Sequence, residues 1–270
     1  MAPIHELWRY DGKRAVVTGC ASGIGACLVG QLRELGAEVV GLDVVPPSVE
    51  LDEFHQVDMA DPAAIDRAAN AIGPRVDSLF NVAGVSSGIG NPLRVVTINF
   101  LGLRQFTEAL VGRMKPGSSI ASVSSLAAAS YRENQDSVRG LLDTGGMAEG
   151  VEWCGRNPDA VADGGYRLSK EAIILYTMAN AATLGARGIR INCTGPGVTE
   201  TPILDQLRTA YGPEYLDDIP KPLGRVSDPS EQAAVLAFLN SAVASYVTGQ
   251  VLWVDGGNVA GRITAETTSP

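Results

Sequence analysis

Tyr166-Arg-Leu-Ser-Lys170 sets a phenol and an ammonium four residues apart, which is one face of a helix. A free phenol gives up its proton only near about pH 10. A neighbouring ammonium favours the phenolate. Tyr166 beside Lys170 can therefore take a proton from an alcohol or return one to a carbonyl. As an isolated pair the pattern is common and decides little. Ser125, at the end of a predicted strand, adds a hydroxyl placed to hydrogen-bond the oxygen of such a substrate. Asn99 lies in an apolar helical run, Thr97-Ile-Asn-Phe-Leu-Gly102, where a buried amide must find partners. It either bonds backbone or holds a water in a proton relay.

A second constellation lies near the N-terminus. Thr18-Gly-Cys-Ala-Ser-Gly-Ile-Gly25 joins a predicted strand to a predicted helix. Gly19, Gly23 and Gly25, with Ser22 and Ile24 between them, permit a tight turn and a close approach of backbone N–H groups to a pyrophosphate. The helix N-terminus adds partial positive charge there. The spacing is Gly-x-x-x-Gly-x-Gly, not the commoner dinucleotide fingerprint. Asp43 ends the next predicted strand, where a carboxylate accepts hydrogen bonds from ribose hydroxyls and repels a 2′-phosphate. No Lys or Arg stands between Asp43 and Phe54. The expected cofactor is therefore NAD, not NADP. Asp58 and the adjoining Met59, after the third strand, either contact the adenine edge or serve the turn that starts the next helix.

These residues need a scaffold, and the pattern supplies one. Short apolar strands are predicted over Arg14–Thr18, Glu38–Leu42, Phe54–Val57, Ser78–Phe80, Ser119–Val123, Ile189–Cys193 and Gln250–Val254. Helices are predicted over Ile24–Leu35, from Asp61-Pro62 onward, and over Val95–Met114, Tyr166–Leu184 and Pro229–Leu239. Gly36 is a plausible C-terminal cap. Alternation of strand and helix from end to end implies an α/β fold: one doubly wound parallel sheet of about seven strands, flanked by helices, in a single Rossmann domain. One stretch breaks the rhythm. Residues 127–165 separate the fifth strand from the Tyr166 helix, with a short helix expected near Val138–Asp143. The polar tail Gly261–Pro270 is expected to be mobile.

Composition narrows the partners. With 21 basic and 30 acidic residues, a net charge of −9 and no basic cluster, nucleic-acid binding is not expected. No apolar run approaches the roughly 18 residues that a membrane helix needs. The N-terminus lacks the layout of a signal peptide, so a cytoplasmic protein is expected. Cys20, Cys27, Cys154 and Cys193 form no CxxC pair, and only His5 and His55 accompany them. The cysteines are read as buried reduced thiols, with no metal site.

Taken together, the residues resemble the short-chain dehydrogenase/reductase family. The matching elements are Thr18–Gly25, Asn81-Val-Ala-Gly84, Asn99, Ser125, Tyr166 with Lys170, and Pro196-Gly197 leading to Thr201, spread from Lys13 to Gly257. The resemblance implies a catalytic tetrad of Asn99, Ser125, Tyr166 and Lys170, with Lys170 also binding the nicotinamide ribose. In the family's Ser-Ser pattern the second serine acts, which selects Ser125 over Ser124. The resemblance also implies that Asn81, Ala83 and Gly84 shape the adenosine side. Val198 lies where backbone groups hold the carboxamide, Thr201 lies near the pyrophosphate, and Pro196, Gly197 and Thr199 are expected to contact the cofactor with them.

The stretch 127–165 is longer than most family members carry and is similar to that of bacterial 3α-hydroxysteroid dehydrogenase/carbonyl reductases and coniferyl-alcohol dehydrogenases. It must lie beside the active site or over a subunit face. Residues 202–222 occupy the usual position of a substrate lid and carry Leu204, Leu207, Tyr211, Tyr215, Leu216 and Ile219. These either cover a bulky apolar substrate or pack on the sheet edge. The expected activity is reversible NAD-dependent oxidation of a hydrophobic secondary or aromatic alcohol, by a homodimer or homotetramer acting on a small alcohol or ketone. A non-catalytic NAD-binding sensor and a dehydratase or epimerase of the same fold are the alternatives.

Overall fold

Seven parallel strands form one sheet in the order β3-β2-β1-β4-β5-β6-β7, in a computed structural model that describes residues 3–212 and 214–266. The strands are β1 (Arg14–Thr18), β2 (Glu38–Asp43), β3 (Glu53–Gln56), β4 (Val76–Asn81), β5 (Met114–Val123), β6 (Arg190–Pro196) and β7 (Val251–Val254). The chain winds outward from β1 to β3, then returns to lay β4 on the other side of β1. The crevice at that reversal, above the strands' carboxyl ends, is where ligands gather in such sheets.

Helices fill both faces. After the short α1 (Ile4–Leu7) come α2 (Gly23–Glu34), α3 (Pro62–Ala71), α4 (Pro92–Val96), α5 (Leu103–Val111), α6 (Gln135–Leu142), α7 (Met147–Arg156), α8 (Tyr166–Gly185), α9 (Pro202–Tyr211), α10 (Glu214–Asp217), α11 (Pro229–Asn240) and α12 (Asn258–Glu266). Alternate strand residues face opposite ways. Val17, Val39 and Phe80 pack with Leu28, Leu32 and Leu236 of α2 and α11. Val16, Val40 and Leu79 pack with Ile65, Phe106 and Ile173 of α3, α5 and α8. Asp61 caps α3 by accepting from Ala63 and Ala64 N–H, with Pro62 in the first turn, as the sequence indicates. Gly36, at φ +93°, follows the C-terminus of α2.

Four expectations change. The single helix over Val95–Met114 is instead α4, a π-helical stretch Thr97–Gly102, and α5. It starts earlier because Asn91 accepts from Arg94 N–H at 3.0 Å ahead of Pro92. It ends earlier because Met114 already belongs to β5. The sixth strand runs on through Pro196, whose neighbour Gly195 leaves room for the Trp253 ring: a Cβ there would lie 2.1 Å from it.

Within 127–165, α6 begins at Gln135, and a second helix not expected from the sequence, α7, follows the Gly145-Gly146 pair. Its buried residues Met147, Gly150 and Cys154 share one face, and Gly150 packs on Leu101 of the π-helical stretch. The tail is helical through Glu266, since Asp255 accepts from Gly257 and Val259 N–H at 3.0 and 2.8 Å. Residues 267–270 and the Tyr215 side chain lie outside the described set. Among the described residues no helix is long and apolar enough to cross a membrane.

Candidate active site

The glycine loop is built backbone against backbone. Gly19 takes φ +72°, and a Cβ there would meet Ala83 N and Cα at 2.8 Å. A Cβ at Gly25 would lie 1.9 Å from Gly19 O, so α2 can begin this close to the loop only with glycine. Thr18 Oγ1 accepts from Val82 and Ala83 N–H at 3.0 and 3.1 Å, tying the ends of β1 and β4 together at the crevice. Ser22 stands at the N-cap of α2 with no side-chain capping bond. The first-turn N–H groups of Gly23, Ile24 and Gly25 thus have no partner within their own helix. This cradle fits a dinucleotide pyrophosphate.

Asp43 closes the cradle's outer edge. Its Oδ2 accepts from Ala21 N–H at 2.9 Å and its Oδ1 from Val44 N–H at 2.7 Å. Val44 and Val45 beyond it are exposed. Cys20, buried beneath, has its thiol pushed up to about 12 by burial and by the Asp43 carboxylate, so it is inert. Asp58 accepts from Ala60 N–H at 2.8 Å and pairs with Arg94 at 2.7 Å, a partner the sequence did not signal. Met59 is buried, and its carbonyl is the reason for Gly102: a Cβ there would lie 2.1 Å from it. Asn81 turns inward, donating to Thr107 and Ser122 Oγ at 3.0 and 3.2 Å, so its side chain braces the strand end and does not line the cradle.

Tyr166, Lys170 and Asn99, expected from the sequence to handle a proton, lie near one another beyond β4 and β5. Lys170, buried on α8, donates to Val123 O at 2.9 Å, and its Nζ stands 5.6 Å from the Tyr166 ring centroid. Burial pushes the Lys170 ammonium down to about 8. Gly84 sits between Asn99 and Lys170: a Cβ there would be 3.2 Å from Asn99 Oδ1 and 3.4 Å from Lys170 Nζ.

The two serines separate clearly. Ser124 is buried and donates to Lys170 O at 2.7 Å, whereas the half-buried Ser125 opens the turn Leu126–Ala128 with its Oγ accepting from Ala127 N–H. Asn99 lies fully buried in the π-helical stretch, a rare geometry found often at functional sites. Its Oδ1 accepts from Val85 N–H at 2.8 Å, and its Nδ2 donates to Val85 O and Ser169 Oγ at 3.0 and 3.2 Å. Of the two readings of the Asn99 amide, backbone bonding is therefore the observed one. Ser169, which itself donates to Tyr166 O at 2.7 Å, was passed over although it lies inside the Tyr166–Lys170 motif.

The segment after β6 completes the rim. Pro196 pairs with Val254, and Gly197 N–H donates to Val254 O at 3.0 Å. Thr199 Oγ1 bonds Gly197 O and Ser227 Oγ, and Val198 O accepts from Ser227 N–H. Thr201 leads into α9 with its methyl beside Gly23 of the glycine loop. A cavity of about 200 Å³ is lined by Leu126, Val198, Leu223 and Trp253, one residue beyond Ser125. A larger one, about 840 Å³, lies away from this site, among Arg104, Tyr131, Arg139 and Tyr176 on the outer side of α5, α6 and α8. Among the described residues no group of three or more His, Cys, Asp or Glu is placed to hold a metal ion. All four cysteines are free; Cys20, Cys154 and Cys193 are buried, and Cys27 is half-buried.

Residues 13–137 match the family model for short chain dehydrogenase, and residues 159–258 match that for Enoyl-(Acyl carrier protein) reductase. The chain is 37% identical over 250 residues to coniferyl-alcohol dehydrogenase of Pseudomonas sp. (strain HR199 / DSM 7063), covering 92% of this chain and 97% of that one. It belongs to the short-chain dehydrogenase/reductase family. The 3-alpha-hydroxysteroid dehydrogenase/carbonyl reductase of Comamonas testosteroni is 34% identical over 253 residues, covering 90% and 95% of the two chains. The crystal structure of the 3-alpha-hydroxysteroid dehydrogenase from Pseudomonas sp. B-0831 complexed with NADH superposes with a TM-score of 0.80 at 30% identity, covering 96% and 100% of the two chains. The protein is thus an oxidoreductase of the short-chain type. The two family matches leave residues 138–158, most of α6 and all of α7, between them.

Proposed function

We propose that this short-chain dehydrogenase oxidises a hydrophobic secondary or aromatic alcohol to its carbonyl compound, reversibly and with NAD. The observation that carries the proposal is the Tyr166–Lys170 pair on α8, with Lys170 Nζ 5.6 Å from the Tyr166 ring centroid, Asn99 bonded to the loop after β4 and Ser125 just past the end of β5. Bound in the cradle, the nicotinamide supplies or accepts the hydride. Ser125 Oγ holds the substrate oxygen. In the oxidative direction the hydroxyl proton passes to the Tyr166 phenolate as the carbonyl forms, and in the reductive direction Tyr166 returns it. Lys170 favours the phenolate by its charge, and its lowered pKa lets it exchange a proton near neutrality. Asn99 holds the Val85 loop to α8 through Ser169, so a water relay at this point would run along the backbone of the widened turn.

Asp43, unpaired with any cation among the ion pairs of the described residues, supports NAD over NADP, as does the NADH complex of the Pseudomonas neighbour. The substrate class rests on the coniferyl-alcohol and hydroxysteroid relatives, and the cavity beyond Ser125 sets Leu126, Leu223 and Trp253 beside the charged Lys221, Arg225 and Glu231. Residues 202–222 act as a lid: α9 is fastened to the loop after β4 by Ser86 donating to Gln206 Oε1 at 3.0 Å. We also infer a cytoplasmic homodimer or homotetramer. Because α6 and α7 cover parts of the π-helical stretch and α8, assembly uses other faces, such as the exposed Tyr246 and Leu252 beside edge strand β7. The retained Tyr166, Lys170, Ser125 and Asn99 argue against a sensor, and net production of NADH separates a dehydrogenase from a dehydratase or epimerase of the same fold.

The test is a panel of hydroxysteroids, coniferyl and other aromatic alcohols, and cyclic alcohols, read by NADH absorbance. Tyr166→Phe should lose nearly all turnover and keep NADH binding. Wild-type-like turnover in that variant overturns the assignment.

A further inference from the structure

Glu171 is a buried carboxylate that the proton chemistry does not use. Its side chain is 0% exposed, one residue beyond Lys170 on α8. Its Oε1 accepts from Asn134 Nδ2 at 2.7 Å, and its Oε2 pairs with Arg167 at 3.1 Å. Arg167 Nε reaches Asp163 Oδ2 at 2.7 Å, and Asp163 Oδ1 accepts from Gly165 N–H at 3.2 Å. The polar chain Asn134–Glu171–Arg167–Asp163 therefore starts just before α6 and ends just before α8. Both ends of the extra segment between β5 and α8 are fastened to the same two helical turns.

The geometry of a helix gives this row its meaning. Arg167 and Glu171 are four residues apart on α8, as are Tyr166 and Lys170 one step around the helix, while Asp163 reaches Arg167 from the turn before α8. The Glu171 row thus runs beside the Tyr166 row, on the flank of α8 that meets the extra segment. From the other side Asn99 reaches α8 through Ser169. A buried ion pair adds little net stability against an apolar alternative, but one with every partner in place fixes a geometry.

We propose that Glu171 is a positioning residue for proton transfer, and that through Asn134 it makes the segment between β5 and α8 part of the machinery that orients Tyr166 and Lys170. The inference rests on the reading of the Tyr166–Lys170 pair given above. It does not extend to the cofactor cradle, which is built on β1, β2 and α2.

The experiment uses the full chain with NAD and the same alcohol panel, comparing wild type, Tyr166→Phe, Asn134→Ala, Glu171→Gln and Glu171→Ala. A misplacement of about 1 Å costs about a hundredfold in rate. We therefore expect Glu171→Ala to lower kcat by about tenfold to a hundredfold, with KM for NAD within about twofold of wild type. Glu171→Gln, which keeps the acceptor for Asn134, should recover most of that loss. Asn134→Ala, which cuts one link at the surface end and leaves the buried ion pair intact, should lower kcat about threefold or more. Added to Glu171→Ala, it should cost nothing further.

Wild-type kcat in Asn134→Ala, or a fall in kcat matched by a rise in KM for NAD, overturns the proposal; so does wild-type kcat in Glu171→Ala. Should Glu171→Ala not fold, Asn134→Ala and Glu171→Gln decide the matter. Tyr166→Phe keeps the two levels apart. If it turns over like wild type, or if wild type turns over nothing in the panel, the reading of the site fails and the proposal falls with it. If Tyr166→Phe is inactive and the Glu171 variants are normal, the positioning proposal alone fails.

Discussion

Replacing Asp43 by Asn tests the cofactor reading with one nearly isosteric change. Asp43 ends β2 with Oδ2 on Ala21 N–H of the glycine loop and Oδ1 on the N–H of the following Val44. A 2′-phosphate on an adenosine ribose held there would bring up to two negative charges to roughly 5 Å from the carboxylate. Coulomb's law gives a repulsion of about 2 kcal/mol with the dielectric of water and about 7 kcal/mol with that of a protein surface. Asp43 is half-buried and Val44 and Val45 are open to solvent, so the lower end applies. Two kcal/mol is roughly a thirtyfold preference against NADP. The neutral amide removes that repulsion and weakens the charge-assisted bonds to the NAD ribose by about 1.5 kcal/mol, roughly another tenfold. The ratio of kcat/KM for NAD to that for NADP should therefore fall by at least about a hundredfold. Steady-state kinetics with both cofactors measure it, and a melting curve checks that the loss of one backbone contact has not loosened the loop. A ratio within about threefold of wild type would mean that Asp43 does not face the ribose, and the electrostatic argument would be refuted.

Two further perturbations probe the same site. Lys170→Met should stabilise the cofactor-free protein at neutral pH. The buried ammonium titrates at about 8 against 10.5 unfolded, a cost of about 3 kcal/mol, offset by about 1–2 kcal/mol for the unsatisfied Val123 carbonyl. Because the unfolded chain holds the proton longer, wild-type stability rises between about pH 8 and pH 10.5, and the gap should close there. Denaturant melts showing a constant gap across that window would contradict the assignment, while turnover should be lost at every pH. Gly25→Ala places a methyl 1.9 Å from Gly19 O, so the loop must shift. The resulting strain of about 1–3 kcal/mol should lower the melting temperature and raise KM for NAD by roughly tenfold, and an unchanged KM would argue against the cradle.

What the sequence made legible was whatever rests on near neighbours. Strand–helix alternation gave the sheet, Asp61-Pro62 gave the start of α3, and the glycines gave the cradle, because each signal is complete within a few residues. The π-helical stretch at Asn99 was hidden because its cause is distant: Gly102 must pass Met59 O, and no periodicity in residues 95–114 records that. α7 was hidden by its own glycines, one of which exists to admit Leu101. Glu171 looked like one more polar residue on a helix. Its burial and its partner Asn134 become visible only when the segment after β5 folds back.

The two halves of the site differ in how they are made, and this predicts where each tolerates change. The cofactor half is mostly backbone: Gly19 against Ala83, Gly25 against Gly19 O, Thr18 Oγ1 across two N–H groups, with Asp43 as the side chain placed to choose between ligands. Such a surface tolerates changes of side chain but not an added Cβ. The proposed proton-transfer half relies on side chains: Lys170 is held to β5 and Asn99 to the β4 loop and to Ser169, while Ser125 bonds within its own turn, to Ala127 N–H. The two meet at Gly84, which follows Ala83 of the cradle and has the Asn99 and Lys170 side chains beside it. A Cβ at Gly84 would crowd Asn99 Oδ1 at 3.2 Å and touch Lys170 Nζ at 3.4 Å, so Gly84→Ala should disturb the Asn99 amide first and lower kcat more than it raises KM for NAD.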